Sequence, residues 1–156
     1  MRGRYVLASA FVLAAALGVG LWLGLSGGGN AQPAQGAYLA QVSSVCRTYA
    51  RRLERVPAPA DPAAFGDVID SLERVVPLLR AQDAAMRRVQ APKAFKPRLE
   101  RLFGFNQAAI AQLDSALAAA KRRDAGGVAT GLVRFARLRD QVHVLALGMG
   151  VRCTTN

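Results

Sequence analysis

The sequence contains few of the residues from which metal centres and redox sites are built. His143 is its only histidine, and it has two cysteines among 156 residues. A single histidine excludes a site with several histidine ligands, and the Glu-x-x-His pairs of di-iron bundles are absent. The chain also lacks a Cys-x-x-Cys motif, which excludes covalent haem attachment and a thioredoxin-like redox pair. We therefore expect no metal, no cofactor and no enzymatic activity.

Acidic residues are scarce as well. The chain has 10 Asp and Glu against 21 Lys and Arg, so its formal net charge is +11. In a cytoplasmic protein this charge would suggest a nucleic-acid partner. Outside the cytoplasm the first candidates are anionic lipid headgroups and anionic envelope polymers. The N-terminal segment favours the second location, so we expect no nucleic-acid partner.

An uncharged apolar segment occupies residues 5–25. At about 1.5 Å per residue a helix of this length spans about 30 Å, the thickness of a bilayer's hydrocarbon core. Arg2 and Arg4 precede the segment, and no charge follows until Arg47. The positive-inside rule then predicts a cytoplasmic tail at residues 1–4, a single-pass anchor (or uncleaved signal) and an extracytoplasmic remainder.

A second interpretation of this segment is a signal peptide that is cleaved after Ala31, which would give a secreted protein. Within a retained anchor, small residues recur every fourth position at Ala16, Gly20 and Gly24. Such a face lets two transmembrane helices pack closely, although alanine- and glycine-rich segments also produce the pattern by chance. The oligomeric state therefore stays open.

Both interpretations place the rest of the chain where disulfides persist. Cys46 and Cys153 are then predicted to form one disulfide, and the alternative is two buried free thiols. A bridge closing so long a loop would stabilise the fold by about 4–5 kcal/mol in the chain-entropy treatment.

Four amphipathic helices are predicted after a flexible linker at residues 26–36, within a domain at residues 37–156. Apolar residues recur at spacings of three and four, as on the buried face of a packed helix. The periodicity predicts helices over residues 37–56, from Asp61 to about residue 89, from residue 96 to the segment KRRDAGG, and over residues 128–147. Short connections favour an all-α, up-down-up-down four-helix bundle, in which the chain's end reaches the first helix.

Details of these helices give further predictions. The seam of each helix is the line of apolar residues that is predicted to face the core. In the first helix it runs through Leu39, Val42 and Cys46. Asp61, followed by a proline, is predicted to N-cap the second helix. Gly126 and Gly127 are predicted to form a left-handed cap after the third.

Two polar residues interrupt the apolar faces. Asn106 lies in the seam of the third helix and is predicted to fix helix register; slight exposure and contact with a ligand are the alternatives. Asp83 falls near the inward face of the second helix. We expect it to pair with Arg98 or Arg101 near the start of the antiparallel third helix.

The basic residues form two groups in this topology. One would gather at the membrane-facing end and contact anionic headgroups, each residue contributing about 1 kcal/mol; the alternative is ordinary solvated surface charge. Its members are Arg87, Arg88, Lys93, Lys96, Arg98, Arg101 and Arg152. The other group would lie at the opposite end and consists of Arg51, Arg52, Arg55, Lys121, Arg122 and Arg123.

A family resemblance rests on four features together. These are the apolar N-terminal segment, a cysteine in the first outer helix, the turns VPAPADPAAF and QAPKAFKPRL, and the terminal LGMGVRC. The chain resembles small membrane-anchored or secreted helical-bundle proteins of high-GC bacteria. The resemblance implies a helical fold and an extracytoplasmic location, and it supplies no catalytic residues.

The sequence therefore predicts a non-catalytic extracytoplasmic binding or scaffolding domain, tethered to the cell membrane. Its partners would be anionic lipid, envelope polymer or another protein. The alternative is a helical bundle that holds a small apolar ligand between its helices.

Overall fold

The computed structural model describes residues 33–153, which fold as four α-helices joined by one disulfide. A 3₁₀ turn at Lys93–Phe95 precedes the third helix. No strand occurs among the described residues. The predicted all-α class with four helices is confirmed. The helices are α1 (Pro33–Glu54), α2 (Phe65–Arg88), α3 (Lys96–Lys121) and α4 (Ala125–Gly148).

Cross-helix pairs define how α2 and α3 are aligned. Lys121 Nζ lies 2.7 Å from Glu73 Oε1, and Asn106 Nδ2 lies 2.8 Å from Asp83 Oδ1. Residue numbers therefore rise along α2 as they fall along α3, so the two helices run antiparallel. The 3₁₀ turn connects them at one end of the bundle.

Small residues bring α3 and α4 into close contact. A Cβ atom on Gly131 would lie 2.9 Å from Ala116 Cβ and 2.9 Å from the Gln112 carbonyl oxygen. One turn earlier, a Cβ on Gly127 would lie 2.8 Å from Ala119 Cβ. The alanines are essentially inaccessible to solvent. The two backbones can approach this closely only because glycine carries no side chain.

The buried apolar residues form two separate clusters. We call the one beside the disulfide the tail cluster: Tyr38, Val42, Met86, Phe95, Leu99, Leu102, Phe103, Ala146, Met149 and Val151. The other is the loop cluster: Val68, Leu72, Val76, Leu79, Ile110, Leu113, Ala116, Ala119, Ala120 and Val128. Between them lie the buried polar residues Gln82, Asp83 and Asn106.

The disulfide fastens the end of the chain to α1. Cys46 and Cys153 are bonded, with their Cα atoms 5.1 Å apart, which confirms the predicted pairing. After α4 ends, Gly150 adopts a φ of 83° and redirects the chain back toward α1. The Arg152 amide then donates to Ser43 Oγ at 3.1 Å.

The first helix begins earlier than its apolar pattern indicates. It starts at Pro33, so residues 33–36, assigned to the linker, belong to α1. Proline suits the first turn of a helix because its fixed φ is helical and the missing N–H has no partner there. The predicted anchor, its cytoplasmic tail and the face of Ala16, Gly20 and Gly24 lie outside the described residues. Within residues 33–153, none of the helices combines the length and hydropathy needed to span a bilayer.

The predicted start of the second helix at Asp61 is wrong. Asp61 Oδ1 accepts a hydrogen bond from the Ala63 amide at 2.8 Å, and the Asp61 amide donates to Asp67 Oδ2 at 2.9 Å. These bonds fix a turn before the helix. Regular helix then begins at Phe65.

The predicted glycine cap after the third helix is also wrong. Arg123, with a φ of 60°, is the residue in the left-handed conformation. Asp124 then caps α4, because its Oδ1 accepts from the Gly127 amide at 2.9 Å. Gly126 and Gly127 therefore lie in the first turn of α4, and close contact with α3 requires a glycine at Gly127.

Candidate ligand-binding cleft and basic end

A hydrogen-bonded polar layer separates the two apolar clusters. Asn106 Nδ2 donates to Asp83 Oδ1 at 2.8 Å, which links α3 to α2. Arg87 Nε donates to the other carboxylate oxygen, Oδ2, at 2.6 Å. Arg139 of α4 extends the layer, its Nη1 lying 3.5 Å from Asn106 Oδ1. Three helices are thereby connected at one height of the bundle.

The partner predicted for Asp83 is wrong. Arg98 and Arg101 are exposed, and Asp83 pairs instead with Arg87, one turn further along its own helix. Because both carboxylate oxygens of Asp83 are occupied by donors, the group is a structural anchor and not a free base. Asn106 is buried, as its position in the seam predicts.

Desolvation acts on the arginine that completes this layer. Burial lowers the pKa of Arg139 below its ordinary value, because the charged form loses hydration. Among residues 33–153 no three His, Cys, Asp or Glu side chains are grouped to hold a metal ion. The layer therefore links α2, α3 and α4 through buried and half-buried hydrogen bonds.

Next to this layer, at the end where α2 and α3 are connected, lies a cleft of about 350 Å³. Its floor is apolar and is formed by Met86, Leu99 and Phe103 of the tail cluster. Lys93 and Lys96 stand at its rim and are exposed. The cleft thus combines an apolar floor with polar and basic side chains at its wall and rim.

Tyr38 of α1 contributes a hydroxyl group to the cleft. The residue is only 3% exposed, and its ring packs 5.6 Å from that of Phe95, centroid to centroid. Every fully buried side-chain oxygen or nitrogen among the described residues has a hydrogen-bond partner. The Tyr38 hydroxyl has no such partner within residues 33–153, so it faces the open cleft that Tyr38 lines.

Burial raises the pKa of the Tyr38 phenol, because removal of water disfavours the phenolate. The hydroxyl therefore remains protonated near neutral pH and is available as a hydrogen-bond donor. Arg87 forms part of the wall beside it. Its guanidinium carbon lies 4.2 Å from the centre of the Phe103 ring while its Nε bonds to Asp83, so two contacts hold the side chain.

Sequence reasoning missed Tyr38, because the predicted seam passes through Leu39. Leu39 is half-buried, whereas Tyr38 is almost fully buried. Tyr38, Val42 and Cys46 recur at a constant spacing of four, which is also a helical periodicity. That repeat is the signal by which Tyr38 could have been found.

The predicted basic residues divide between two ends of very different charge balance. We define the basic end as residues 33–45, 87–101 and 143–153, and the opposite end as residues 51–74 and 121–124. The basic end contains seven Lys and Arg and a single acidic residue, Glu100. Those seven are the predicted anionic-surface group. The opposite end contains seven basic and six acidic residues, among them the Lys121–Glu73 ion pair.

The chain matches no known protein-family model, no curated protein sequence and no solved structure. Inference about function therefore depends on the chemistry of the cleft and of the basic end.

Proposed function

We propose that this protein is a non-catalytic binding domain held at the outer face of a cell membrane by residues 5–25, and that its basic end contacts anionic lipid headgroups. The observation that carries the proposal is the charge imbalance of that end, with seven basic residues against one acidic; one of the seven, Arg87, is paired with Asp83, and the other six have no ion pair within residues 33–153. An equal number of basic residues at the opposite end is almost balanced by acids. Only the basic end therefore has a strong unbalanced attraction for an anionic surface.

The position of α1 supports this orientation. α1 begins at the basic end, where Tyr38 contacts Phe95 of the 3₁₀ turn. Between Leu25 and Pro33 there are only residues 26–32, which reach at most about 25 Å when fully extended. A membrane anchor at residues 5–25 would therefore keep the basic end within a few Debye lengths of the headgroups. The tether is thus short enough for the basic end to reach the headgroups, and a basic residue that lies within one Debye length of them contributes about 1 kcal/mol of attraction.

The disulfide supports an extracytoplasmic location, because such bonds persist in oxidising compartments. Envelope polymers are polyanions as well and could occupy the same surface. Lipid is the better candidate, because the anchor would hold the surface next to the bilayer at all times. If residues 1–31 are cleaved, the tether is lost and the secreted domain would bind headgroups only by its own charge.

Hydrogen exchange on the full chain in lipid nanodiscs tests the proposal. Amides of residues 89–101 are expected to be better protected in discs containing phosphatidylglycerol than in discs of phosphatidylcholine. High salt is expected to remove the difference, because screening weakens exposed charge interactions. Equal protection in both lipids at low salt would contradict the proposal.

Two matched variants, each with four exposed charges removed, provide the control. Loss of protection is expected for the first and not for the second, and the reverse result would also refute the proposed orientation. The first variant carries Arg88→Gln, Arg98→Gln, Arg101→Gln and Arg152→Gln. The second carries Arg51→Gln, Arg55→Gln, Arg122→Gln and Arg123→Gln.

A further inference from the structure

Two features distinguish the cleft from a flat charged surface: an apolar floor and a hydroxyl group without a hydrogen-bond partner within residues 33–153. We propose that it binds one molecule of an acidic amphiphile, with a phosphate or carboxylate head at the rim and an alkyl chain inside. This site goes beyond the surface contact proposed above and does not require it. It replaces the purely apolar ligand that the helical pattern alone suggested.

The head group is inferred from three donors. Lys93 and Lys96 form no ion pair within residues 33–153, so their charges are available at the rim. The Tyr38 hydroxyl is protonated, opens onto the cleft and has no hydrogen-bond partner among the described residues. An anionic oxygen is the acceptor that suits both the phenol and the ammonium groups, because hydrogen bonds to a charged acceptor are stronger than those to a neutral one.

The alkyl chain of the ligand is inferred from the apolar floor of the cleft. Met86, Leu99 and Phe103 are buried in the tail cluster and also line the cleft. A volume of about 350 Å³ lies in the range of small-molecule sites and has room for a single alkyl chain. Each methylene that leaves water for such a surface raises affinity about fourfold.

The amphiphile could be a phospholipid of the bilayer or a free molecule such as an alkyl phosphate. Both present the same chemistry to the cleft, and both would enter past Lys93 and Lys96. The bilayer source requires a lipid to lift one chain into the protein, whereas the free molecule needs no contact with the membrane.

Fluorine NMR of the full chain, labelled with 3-fluorotyrosine and placed in phosphatidylcholine nanodiscs, gives a local readout. The sequence has three tyrosines, Tyr5, Tyr38 and Tyr49, and Tyr→Phe variants assign their signals. Decyl phosphate is expected to shift the Tyr38 signal saturably and to leave that of Tyr49 unchanged. Octyl phosphate is expected to bind about 16-fold more weakly, because two methylenes are missing.

Two simpler probes test whether both parts of the ligand matter. Decanol has the chain without the charge, and inorganic phosphate has the charge without the chain. Each is expected to bind at least about tenfold more weakly than decyl phosphate. No saturable shift of Tyr38, or equal affinity for decanol, would overturn the proposal.

Ala91→Phe is the variant designed to fill the cleft, since Ala91 lines it and is half-buried. It is expected to abolish the Tyr38 shift. Lys93→Gln with Lys96→Gln retains the cleft and is expected to weaken binding at least about tenfold, because charged hydrogen bonds are lost. A shift that survives in both variants would place the amphiphile elsewhere and refute the site.

Nanodiscs containing phosphatidylglycerol separate the two sources. If the bilayer lipid occupies the cleft, the Tyr38 signal moves before any decyl phosphate is added. If it stays in place and decyl phosphate still shifts it, the ligand is a free amphiphile. Either result supports the site.

The proposed cleft site and the proposed membrane contact can be tested independently. The variant lacking Arg88, Arg98, Arg101 and Arg152 is expected to lose lipid-dependent amide protection and to keep the Tyr38 shift. Ala91→Phe is expected to do the opposite. Loss of both properties in Ala91→Phe, with the helical circular dichroism unchanged, would show that the cleft and the surface are one site and would refute a discrete cleft.

Discussion

Two glycine-to-alanine substitutions are expected to change stability in opposite directions. Gly104, on the exposed side of α3, has no atom within 4 Å of where a Cβ would be placed. At Gly131, on α4, the same Cβ would lie 2.9 Å from Ala116 Cβ and from the Gln112 carbonyl oxygen. Neither atom can rotate away, because one is a methyl fixed to the backbone and the other belongs to the backbone itself.

The magnitudes follow from these distances. Alanine is favoured over glycine inside a helix by about 1 kcal/mol, so Gly104→Ala is expected to stabilise the protein by about that amount. Gly131→Ala receives the same gain but forces α3 and α4 apart, and overpacking of this kind costs about 1–3 kcal/mol. The net expectation is a protein up to about 2 kcal/mol less stable than the unsubstituted chain and about 1–3 kcal/mol less stable than Gly104→Ala.

Urea unfolding of a chain beginning at Ser26, followed by far-ultraviolet circular dichroism, measures both effects. The midpoint is expected to rise for Gly104→Ala and to fall for Gly131→Ala. Adding Ala116→Gly to Gly131→Ala removes the clashing methyl and is expected to recover part of the loss, a coupling that a double-mutant cycle measures. If Gly131→Ala raises the midpoint as much as Gly104→Ala does, the close contact of α3 with α4 is refuted.

Two further predictions concern the disulfide and Tyr38. Replacing Cys46 and Cys153 by alanine opens a loop with a sequence separation of 107 and is expected to lower the free energy of unfolding by about 5 kcal/mol in the same urea assay. The m-value is expected to rise, because the unfolded chain without the disulfide exposes more surface. A decrease of less than about 1 kcal/mol would contradict the chain-entropy account. Since burial raises the pKa of Tyr38, the unfolded phenol releases its proton first, so the free energy of unfolding should fall as pH rises above about 10. Tyr38→Phe should reduce that fall, and identical alkaline profiles for the two proteins would argue against a buried phenol.

The existence and order of the helices could be predicted because each carries a long amphipathic repeat, whereas their ends depend on partners beyond the local pattern. Asp61 and Asp124 are similar signals in the sequence. Asp124 caps α4 through the Gly127 amide, but the Asp61 amide is bound by Asp67, which favours a turn. Two acidic residues of the same type therefore have different roles, and only their neighbours in space decide which.

The candidate cleft was harder to predict than the basic end. The charges of the basic end are visible once the helices are ordered, because they cluster around one connection. The cleft depends on how α1 is aligned with the connection between α2 and α3, which brings Tyr38 to Phe95 and which no local pattern in the sequence indicates. The Asp83–Arg87 ion pair, in contrast, could have been predicted. The two residues are four apart on one helix, a spacing that brings side chains together, whereas the predicted partners Arg98 and Arg101 lie on α3.

The bond between Cys46 and Cys153 closes the polypeptide into a covalent ring that contains the whole of α2, α3 and α4. A protease that cuts the exposed connection between α1 and α2 would therefore open the ring without releasing a fragment. Should residues 5–25 hold the chain in a membrane, the nicked helices would stay attached to the cell until a reductant reaches the sulfur atoms.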